Sequence, residues 1–213
     1  MRVLEVRPGR IELERLHPVA PTVAAAEDLG RALAATHAAG AAHHACGPPG
    51  VTGGGWIGRA PLPFAAADLP AAAATARFRW RPYLDALDGS GRADVEALVE
   101  RAERDPDLLG PTDRVGRLHG DLWSGNVVWT SDGAVLVDPA AQGGHPETDL
   151  AMLALFGLPH LGRVLAAYDE VAPLADGWRD RVALHQLHPL LVHAHLFGGG
   201  YRAQAAAVAR RYR

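Results

Sequence analysis

The amino-acid sequence predicts an α+β fold that is mostly helical, with its strands confined to short hairpins. Three observations carry this reading. Apolar residues recur at helical spacing through residues 23–39, 94–104 and most of the chain after residue 149. Strand-like alternation is confined to residues 2–16, interrupted by Pro8-Gly9, and to residues 127–137, interrupted by Ser131-Asp132-Gly133. The chain has 213 residues, enough for one good core, or one domain with a small appendage.

Taken in order, residues 2–6 alternate as a strand, Pro8-Gly9 turns, and residues 10–16 alternate again with Ile11, Leu13 and Leu16 apolar. These form one hairpin. Thr22 is placed to cap a helix over 23–39, with Glu27 in its early turns, Leu29, Leu33 and Thr36-His37 on one face, and Gly40 as its stop. Residues 45–64 make a Gly/Pro-rich loop too long to be a mere connection. A helix over 65–87 is broken or offset near Pro70 and carries Arg77, Arg79 and Arg81 interleaved with Phe78 and Trp80. Such an interleave can mark a nucleic-acid surface, but the balanced charge of the chain favours a solvated or salt-bridged face. Residues 94–104 form an amphipathic helix with Val95, Leu98, Val99 and Ala102 inward, ended by Pro106 and Pro111. After residue 138 helices return: one beginning at Asp149, then 161–171, 178–196 and 203–212.

Bulk properties exclude several classes. A net charge of −3 gives no footprint for nucleic acid or an anionic membrane. One cysteine, Cys46, rules out a disulfide framework and suits a reducing compartment. No apolar run reaches the ~18 residues a membrane span needs and no signal-peptide pattern opens the chain, so a soluble, cytoplasmic protein is expected. His43 and His44 sit at a helix exit, where adjacent histidines are ordinarily solvated. His185, His188, His193 and His195 crowd one predicted helix, but zinc needs three or four converging ligands. All 21 basic residues are arginine; the chain has no lysine.

The chemistry concentrates in His119-Gly120-Asp121-Leu122-Trp123-Ser124-Gly125-Asn126 and in Asp138, twelve residues past Asn126. Val127-Val128-Trp129 and Val135-Leu136-Val137 read as hairpin strands, with Gly133 as the left-handed residue of a three-residue loop. If that loop is centred on Asp132, Val127 faces Val137, Trp129 faces Val135, and Asn126 faces Asp138. Opposed residues lie ~4.5–5.5 Å apart at Cα, so Asn126 and Asp138 meet at the open end, beside the loop carrying Asp121. Hard oxygen ligands so placed suit Mg²⁺, which keeps its other positions for phosphates and water.

An Asp, an Asn five positions on and a later Asp is the order of a kinase catalytic loop. His-Gly-Asp in place of His-Arg-Asp is the small-molecule form, as in aminoglycoside and choline kinases. The longer run resembles the fructosamine-3-kinase (ketosamine kinase) family more closely. It does so through His119 to Asn126, Asp138-Pro139-Ala140, Gly144-His145-Pro146-Glu147-Thr148-Asp149-Leu150-Ala151-Met152, and Leu196-Phe197-Gly198-Gly199-Gly200-Tyr201. This resemblance implies a protein-kinase-like fold of the aminoglycoside phosphotransferase type, in which residues 17–213 are the helical C-lobe and residues 1–16 a remnant of the β-rich N-lobe. Glu14-Arg15-Leu16 then resembles the hinge beneath the adenine. It implies ATP and Mg²⁺ as cofactors, Asp121 as catalytic residue, Asn126 and Asp138 as metal ligands, and His119 and Asp149 as supports of the catalytic loop. Gly53-Gly54-Gly55-Trp56-Ile57-Gly58 resembles a family segment near the acceptor side of the cleft, so Trp56 either stacks on a sugar or amine or packs under its own loop. Trp123 and His193 are further candidates for the acceptor pocket. The implied reaction is phosphorylation of the third hydroxyl of a ketosamine, on a small amine or a protein, which repairs glycation.

The resemblance has one gap. Kinases of this architecture hold the α- and β-phosphates with an N-lobe lysine, and this chain has none. The Gly-rich loop, that lysine and the helix pairing with it are expected before Met1. Two other readings stand beside the first: an aminoglycoside- or choline-type kinase, and a shortened pseudokinase or binding module. The intact Asp121, Asn126 and Asp138 argue against the latter.

Overall fold

In the computed structural model residues 2–213 are described, and four two-stranded antiparallel sheets are distributed among eight α-helices. Strands β1 (Val3–Arg7) and β2 (Arg10–Leu13) form the expected hairpin about Pro8-Gly9, with Val6 paired to Ile11 and Gly9 at φ +73°. Helix α1 (Val23–Ala38) starts as predicted, the Thr22 hydroxyl accepting from the Ala25 amide at 3.2 Å, and ends before Gly40 at φ +71°. The long loop contains a small hairpin, β3 (Gly55–Ile57) with β4 (Ala60–Leu62). Helix α2 (Ala71–Thr75) runs on through a π-turn (Ala76–Trp80) and a 3₁₀ turn (Arg81–Ala86), followed by α3 (Gly89–Arg104).

The central section is built of short strands: β5 (Gly116–Leu118), β6 (Val127–Thr130), β7 (Gly133–Leu136) and β8 (Gln142–Gly144). Strand β8 pairs with β5, and the β6–β7 hairpin leaves from between them. Helices α4 (Glu147–Leu155), α5 (Leu161–Val171), α6 (Trp178–His185), α7 (Leu187–Phe197) and α8 (Gly200–Tyr212) complete the chain.

Two apolar cores flank this central section. One gathers Trp80, Tyr83, Leu98, Leu187 and Leu191 among the turns after α2 and helices α3, α6, α7 and α8. The other joins α1 and α5 to the hairpin through Leu33, Leu122, Trp129, Leu153, Val164 and Tyr168. Leu122 belongs to the segment between β5 and β6, so that segment is pinned by its own apolar residue.

Several expectations are corrected. The β6–β7 loop has two residues, not three: Thr130 pairs with Gly133 and Val127 with Leu136, one position from the expected register. The Thr130 hydroxyl donates to the Gly133 carbonyl at 2.8 Å and closes the tighter turn. Residues 65–70 are not helical, because Pro70 restricts the residue before it and α2 begins only beyond. The three arginines do not share a face. Arg77 and Arg81, four apart, both reach Glu103, at 3.1 and 3.2 Å, whereas Arg79 turns inward and is 4% exposed. The single helix expected over 178–196 is two. Pro189 has no N–H for the His185 carbonyl, and the chain restarts at Leu187 with Pro189 in its first turn.

Helices α1 and α5 approach closely at Gly30, where an added Cβ would stand 2.2 Å from the Val164 carbonyl oxygen and 3.0 Å from the Tyr168 amide nitrogen. Alanine is the better helix former by ~1 kcal/mol, but the obstacle is backbone on both sides and cannot swing away. Gly30→Ala is therefore expected to destabilise the protein, by roughly 1–3 kcal/mol, read as a lower urea midpoint at unchanged slope. A midpoint at or above wild type would show that α5 shifts freely.

Candidate active site

The candidate site is assembled by the two strands that frame it. Strand β5 delivers His119, Gly120 and Asp121; the chain passes through a 3₁₀ turn at Ser124–Asn126 into β6, returns on β7, and reaches Asp138 before β8 pairs back onto β5. Gly120 has φ +82°, and a Cβ there would lie 2.1 Å from the Ala140 carbonyl oxygen, so this crossing tolerates no side chain.

Asp149, on the first turn of α4, is buried behind the loop. Its Oδ2 accepts from the His119 amide at 2.8 Å and its Oδ1 from the Gly120 amide at 3.0 Å. His37 of α1 also reaches Oδ2, at 3.1 Å, and its Nδ1 lies 2.8 Å from the Tyr168 hydroxyl on α5. A carboxylate facing His37 Nε2 requires a proton there, and Nδ1 meets the Tyr168 hydroxyl on the other side of the ring. Burial opposes the charge on Asp149, but the His37 hydrogen bond and charge and the Gly120 amide outweigh it and hold its carboxyl below the usual range. His119 ties the other flank: its Nδ1 accepts from the Asp121 amide at 3.3 Å while Nε2–H donates to the Val137 carbonyl at 2.9 Å.

The three residues predicted from sequence converge. The Asn126 side-chain nitrogen donates to the Asp121 carbonyl at 2.8 Å and to Asp121 Oδ2 at 3.2 Å, which leaves the carboxamide oxygen without a bond to Asp121. The Val137 amide donates to the Asn126 carbonyl at 3.0 Å, so Asn126 lies opposite Val137 and Asp138 is one residue further on. Asp138 is exposed, holds φ +55°, and among the described residues has neither a hydrogen-bond nor an ion-pair partner for its carboxylate. A non-glycine residue in that region is uncommon, and such strain gathers at functional sites. Burial raises the pKa of Asp121; His119, the Asn126 hydrogen bond and His193 pull it back, and Asp138 pushes it further up. Two carboxylates close enough to feel one another, with the Asn126 carboxamide bonded to the first, make a set of hard oxygen donors that fits Mg²⁺.

An aromatic wall stands beside this set. Trp123 lies over Gly125 and meets Phe156 edge to face, with ring centroids 6.0 Å apart. His193 packs against Phe156, Phe197 and Tyr201 at 5.1, 5.6 and 4.9 Å. Its Nδ1–H donates to the Pro189 carbonyl at 2.7 Å, which leaves Nε2 as an acceptor. Trp56 belongs to the separate β3–β4 hairpin, is 69% exposed, and makes no ring contact with this group among the described residues. Glu14, Arg15 and Leu16 lie just past β2, where Glu14 closes the hairpin by accepting from the Arg2 amide at 2.6 Å. Sequence reasoning overlooked His37, Phe156 and Tyr201. The Leu33, Thr36-His37 face of α1 held the signal for the first; the others have partners on distant helices.

A second polar cluster is not a metal centre. Nitrogen and oxygen atoms of His145, Glu147 and His185 come within 4.8 Å of one another. Yet Glu147 is held by two hydrogen bonds from Arg181, at 2.6 and 3.1 Å, and His185 is spent on Thr148 at 3.1 Å and the Leu109 carbonyl at 3.1 Å. His43, His193 and His195 do not join it.

These buried groups fix the response to acid. Burial, with His185 beside it, holds His145 down at about 3, and burial with Arg79 holds His188 at about 3, from an ordinary 6.5. Glu147 is lowered to about 2 from 4.5, its burial outweighed by His185 and Arg181. For all three the unfolded chain binds protons first. Stability is thus full above pH 6.5, falls as the pH drops from there towards 3, and falls more steeply below 4.5 as Glu147 joins. Each histidine contributes a slope of roughly 1.4 kcal/mol per pH unit. Urea midpoints should decline steadily below pH 6.5; a flat profile down to pH 5 would show that the fold does not hold these histidines in their neutral form.

Comparisons with known proteins agree with this geometry. The crystal structure of a "putative fructosamine-3-kinase" from Thermobifida fusca superposes with a TM-score of 0.84 at 47% identity, over 94% of this chain and 68% of that one. A second crystal structure, from Haemophilus somnus, gives 0.74 at 20% identity, over 95% of this chain and 68% of that one, and shows the fold alone. A "probable ketoamine kinase" of Enterococcus faecium is 48% identical over 88 residues, 41% of this chain and 31% of that protein. The ketosamine-3-kinase of Mus musculus is 35% identical over 138 residues, 63% of this chain and 44% of that protein. The matches thus span less than half the length of these curated relatives. The family description "Fructosamine kinase" fits residues 12–212, nearly the whole chain, and the chain belongs to that family of kinases.

Proposed function

We propose that this chain carries the phosphoryl-transfer site of a ketosamine kinase, which moves the γ-phosphate of ATP to a sugar hydroxyl of a glycated amine or protein. The observation that carries the proposal is Asn126 locked onto Asp121 beside the unpaired, strained Asp138. Asp121 orients the acceptor hydroxyl and takes its proton, a contribution of ~10²–10⁴ in rate. Its pKa, raised chiefly by burial, makes it a stronger base. Asn126 and Asp138 would hold Mg²⁺, which when bound neutralises phosphate charge. His119 and Asp149 keep the loop backbone fixed, so that no reorganisation is needed when the acceptor arrives.

The acceptor lies against Trp123, Phe156 and His193, where exposed ring faces meet sugar C–H groups and His193 Nε2 accepts from a hydroxyl. Trp56, on its own hairpin, takes the outlying amine or peptide. Residues 14–16 act as the hinge for adenine, and residues 1–16 as a remnant of the N-lobe joined to the C-lobe of residues 17–213. The exposed Val3, Leu4, Val6 and Ile11 support this, since nothing else in the fold covers them. On this reading the protein works in the cytoplasm as a repair enzyme for glycation. The second reading is a non-catalytic binding module, since none of residues 1–213 is a lysine that could act as the usual phosphate clamp.

Phosphate transfer from labelled ATP to a fructosyl-amine decides between these. Asp121→Asn should keep the fold and lower kcat by ~10²–10⁴, while wild-type activity falls as the pH drops through a value above the ordinary carboxylate range. Wild-type turnover in the mutant would remove Asp121 from its role; no transfer by the wild-type chain would leave the non-catalytic reading. Loss of an aromatic contact is worth ~0.5–1.5 kcal/mol, so His193→Ala should raise KM for the ketosamine by roughly two- to tenfold with KM for ATP unchanged. A panel in which choline or an aminoglycoside, and no ketosamine, is phosphorylated would redirect the substrate assignment.

A further inference from the structure

Behind the catalytic loop lies a small cavity of about 30 Å³ lined by Arg79, Gln142, His145, Thr148 and His188, among others. Three buried side-chain atoms lack a hydrogen-bond partner among the described residues: Arg79 Nη2, His145 Nε2 and His188 Nε2. All three belong to residues of this one cavity, and each residue is more than nine-tenths buried.

The surrounding bonds determine what each atom offers. The Arg79 guanidinium spends Nη1 on the Pro63 and Phe78 carbonyls, at 2.6 and 2.8 Å, and Nε on the Gln142 side-chain oxygen, so Nη2 is a spare donor. His145 Nδ1 accepts from the Glu147 amide at 3.2 Å, so the proton of the neutral ring is on Nε2, a second spare donor. His188 Nδ1–H donates to the Arg79 carbonyl at 2.9 Å, so Nε2 is a spare acceptor. Two donors and one acceptor around one space are the complement of a water molecule, which accepts twice and donates. A halide would satisfy the donors but would meet the His188 lone pair with nothing to give. Arg79, though it has no carboxylate partner among the described residues, already faces three oxygens. The space is also right: one water needs ~10–15 Å³ measured this way, so about 30 Å³ admits one or two.

The node reaches the active site. Gln142 pairs with Leu118 across β8 and β5, and its side-chain nitrogen lies 2.9 Å from where a Cβ on Gly120 would stand. We propose that this cavity is a permanent hydration site whose water completes the shell of Arg79, and that Arg79, so anchored, positions the catalytic loop through Gln142. It joins the turns after α2, strand β8 and helix α7, which also carries His193. The positioning half rests on reading residues 119–126 as the catalytic loop; the hydration half does not.

The test has two arms. A crystal structure of the full chain at a resolution showing ordered solvent should place one or two waters within ~2.7–3.2 Å of Arg79 Nη2, His145 Nε2 and His188 Nε2. Crystals grown in bromide should show no anomalous peak there. A bromide peak, or no ordered density, overturns the hydration site. The second arm is hydrogen exchange on wild type and on Gln142→Leu, which removes the link while sparing Arg79, with Arg79→Met beside it. Protection at the Gly120 and Asp121 amides should fall by roughly tenfold or more while α5 keeps its own. Unchanged loop protection, or an equal loss throughout the chain, overturns the positioning role whether or not the chain turns over. Where ketosamine is phosphorylated, Gln142→Leu should lower kcat several-fold at unchanged KM for ATP; a change in KM alone would count against it.

Discussion

The Asp149 carboxylate is the constraint on which the site depends. A buried carboxylate without partners would give up its charge, since an uncompensated ion in the interior costs several kcal/mol. Asp149 stays ionised because two consecutive backbone amides and His37 converge on it, and His37 is in turn held by Tyr168. Each donor has a reason to stay where it is: the amides would be orphaned without the carboxylate, and His37 and Tyr168 are fixed by the α1–α5 packing around Gly30. The result is a loop whose backbone is held from behind, leaving Asp121 to point forward. Removing any one member leaves the rest buried and unmatched.

Given that anchor, a short stretch of sequence suffices to build the rest. Asp121 and Asn126 are five apart and share one turn, so their contact is local and was legible from spacing. Asp138 comes back because a hairpin must return, and the alternation of Val127–Trp129 and Val135–Val137 announced that hairpin. Its register was not legible. A loop of two or three residues fits Ser131-Asp132-Gly133 equally well, and the Thr130 hydroxyl decides for two. A one-residue slip exchanges the faces of a strand, yet the site survives it because Asn126 and Asp138 lie beyond the paired residues. What brings them together is the Val137 amide on the Asn126 carbonyl and the left-handed turn of Asp138 itself.

What sequence could not show is what depends on partners far along the chain. Arg79 looks like one of three alternating surface arginines until the helical period is applied, and then only its inward direction is clear. That it meets Gln142, Pro63 and His188 requires three separate elements to have packed. The break at Gln186 had a local cause in Pro189, legible but not acted on, because the apolar pattern continues across it. Phe156 joined the aromatic wall through Trp123 and His193, and Tyr201 through His193.

The electrostatics of the finished site tie these layers to chemistry. Asp121 and Asp138 repel one another, enough to push the Asp121 pKa upward beside the effect of burial. Neither has an arginine partner among the described residues, although arginines hold buried carboxylates elsewhere: Glu147 by Arg181, Asp94 by Arg210 and Arg213. A fold that pairs acids with arginines elsewhere and leaves these two within electrostatic reach of each other, one of them at a strained φ, offers a place that suits a mobile cation. Phosphates alone would be repelled from that pair. Phosphates accompanied by a divalent ion would be drawn to it, and the same pair would then hold the acceptor hydroxyl next to a base whose affinity for a proton has been raised. The backing of Asp149 makes this arrangement affordable, since the loop that carries the repulsion is not free to relax away from it.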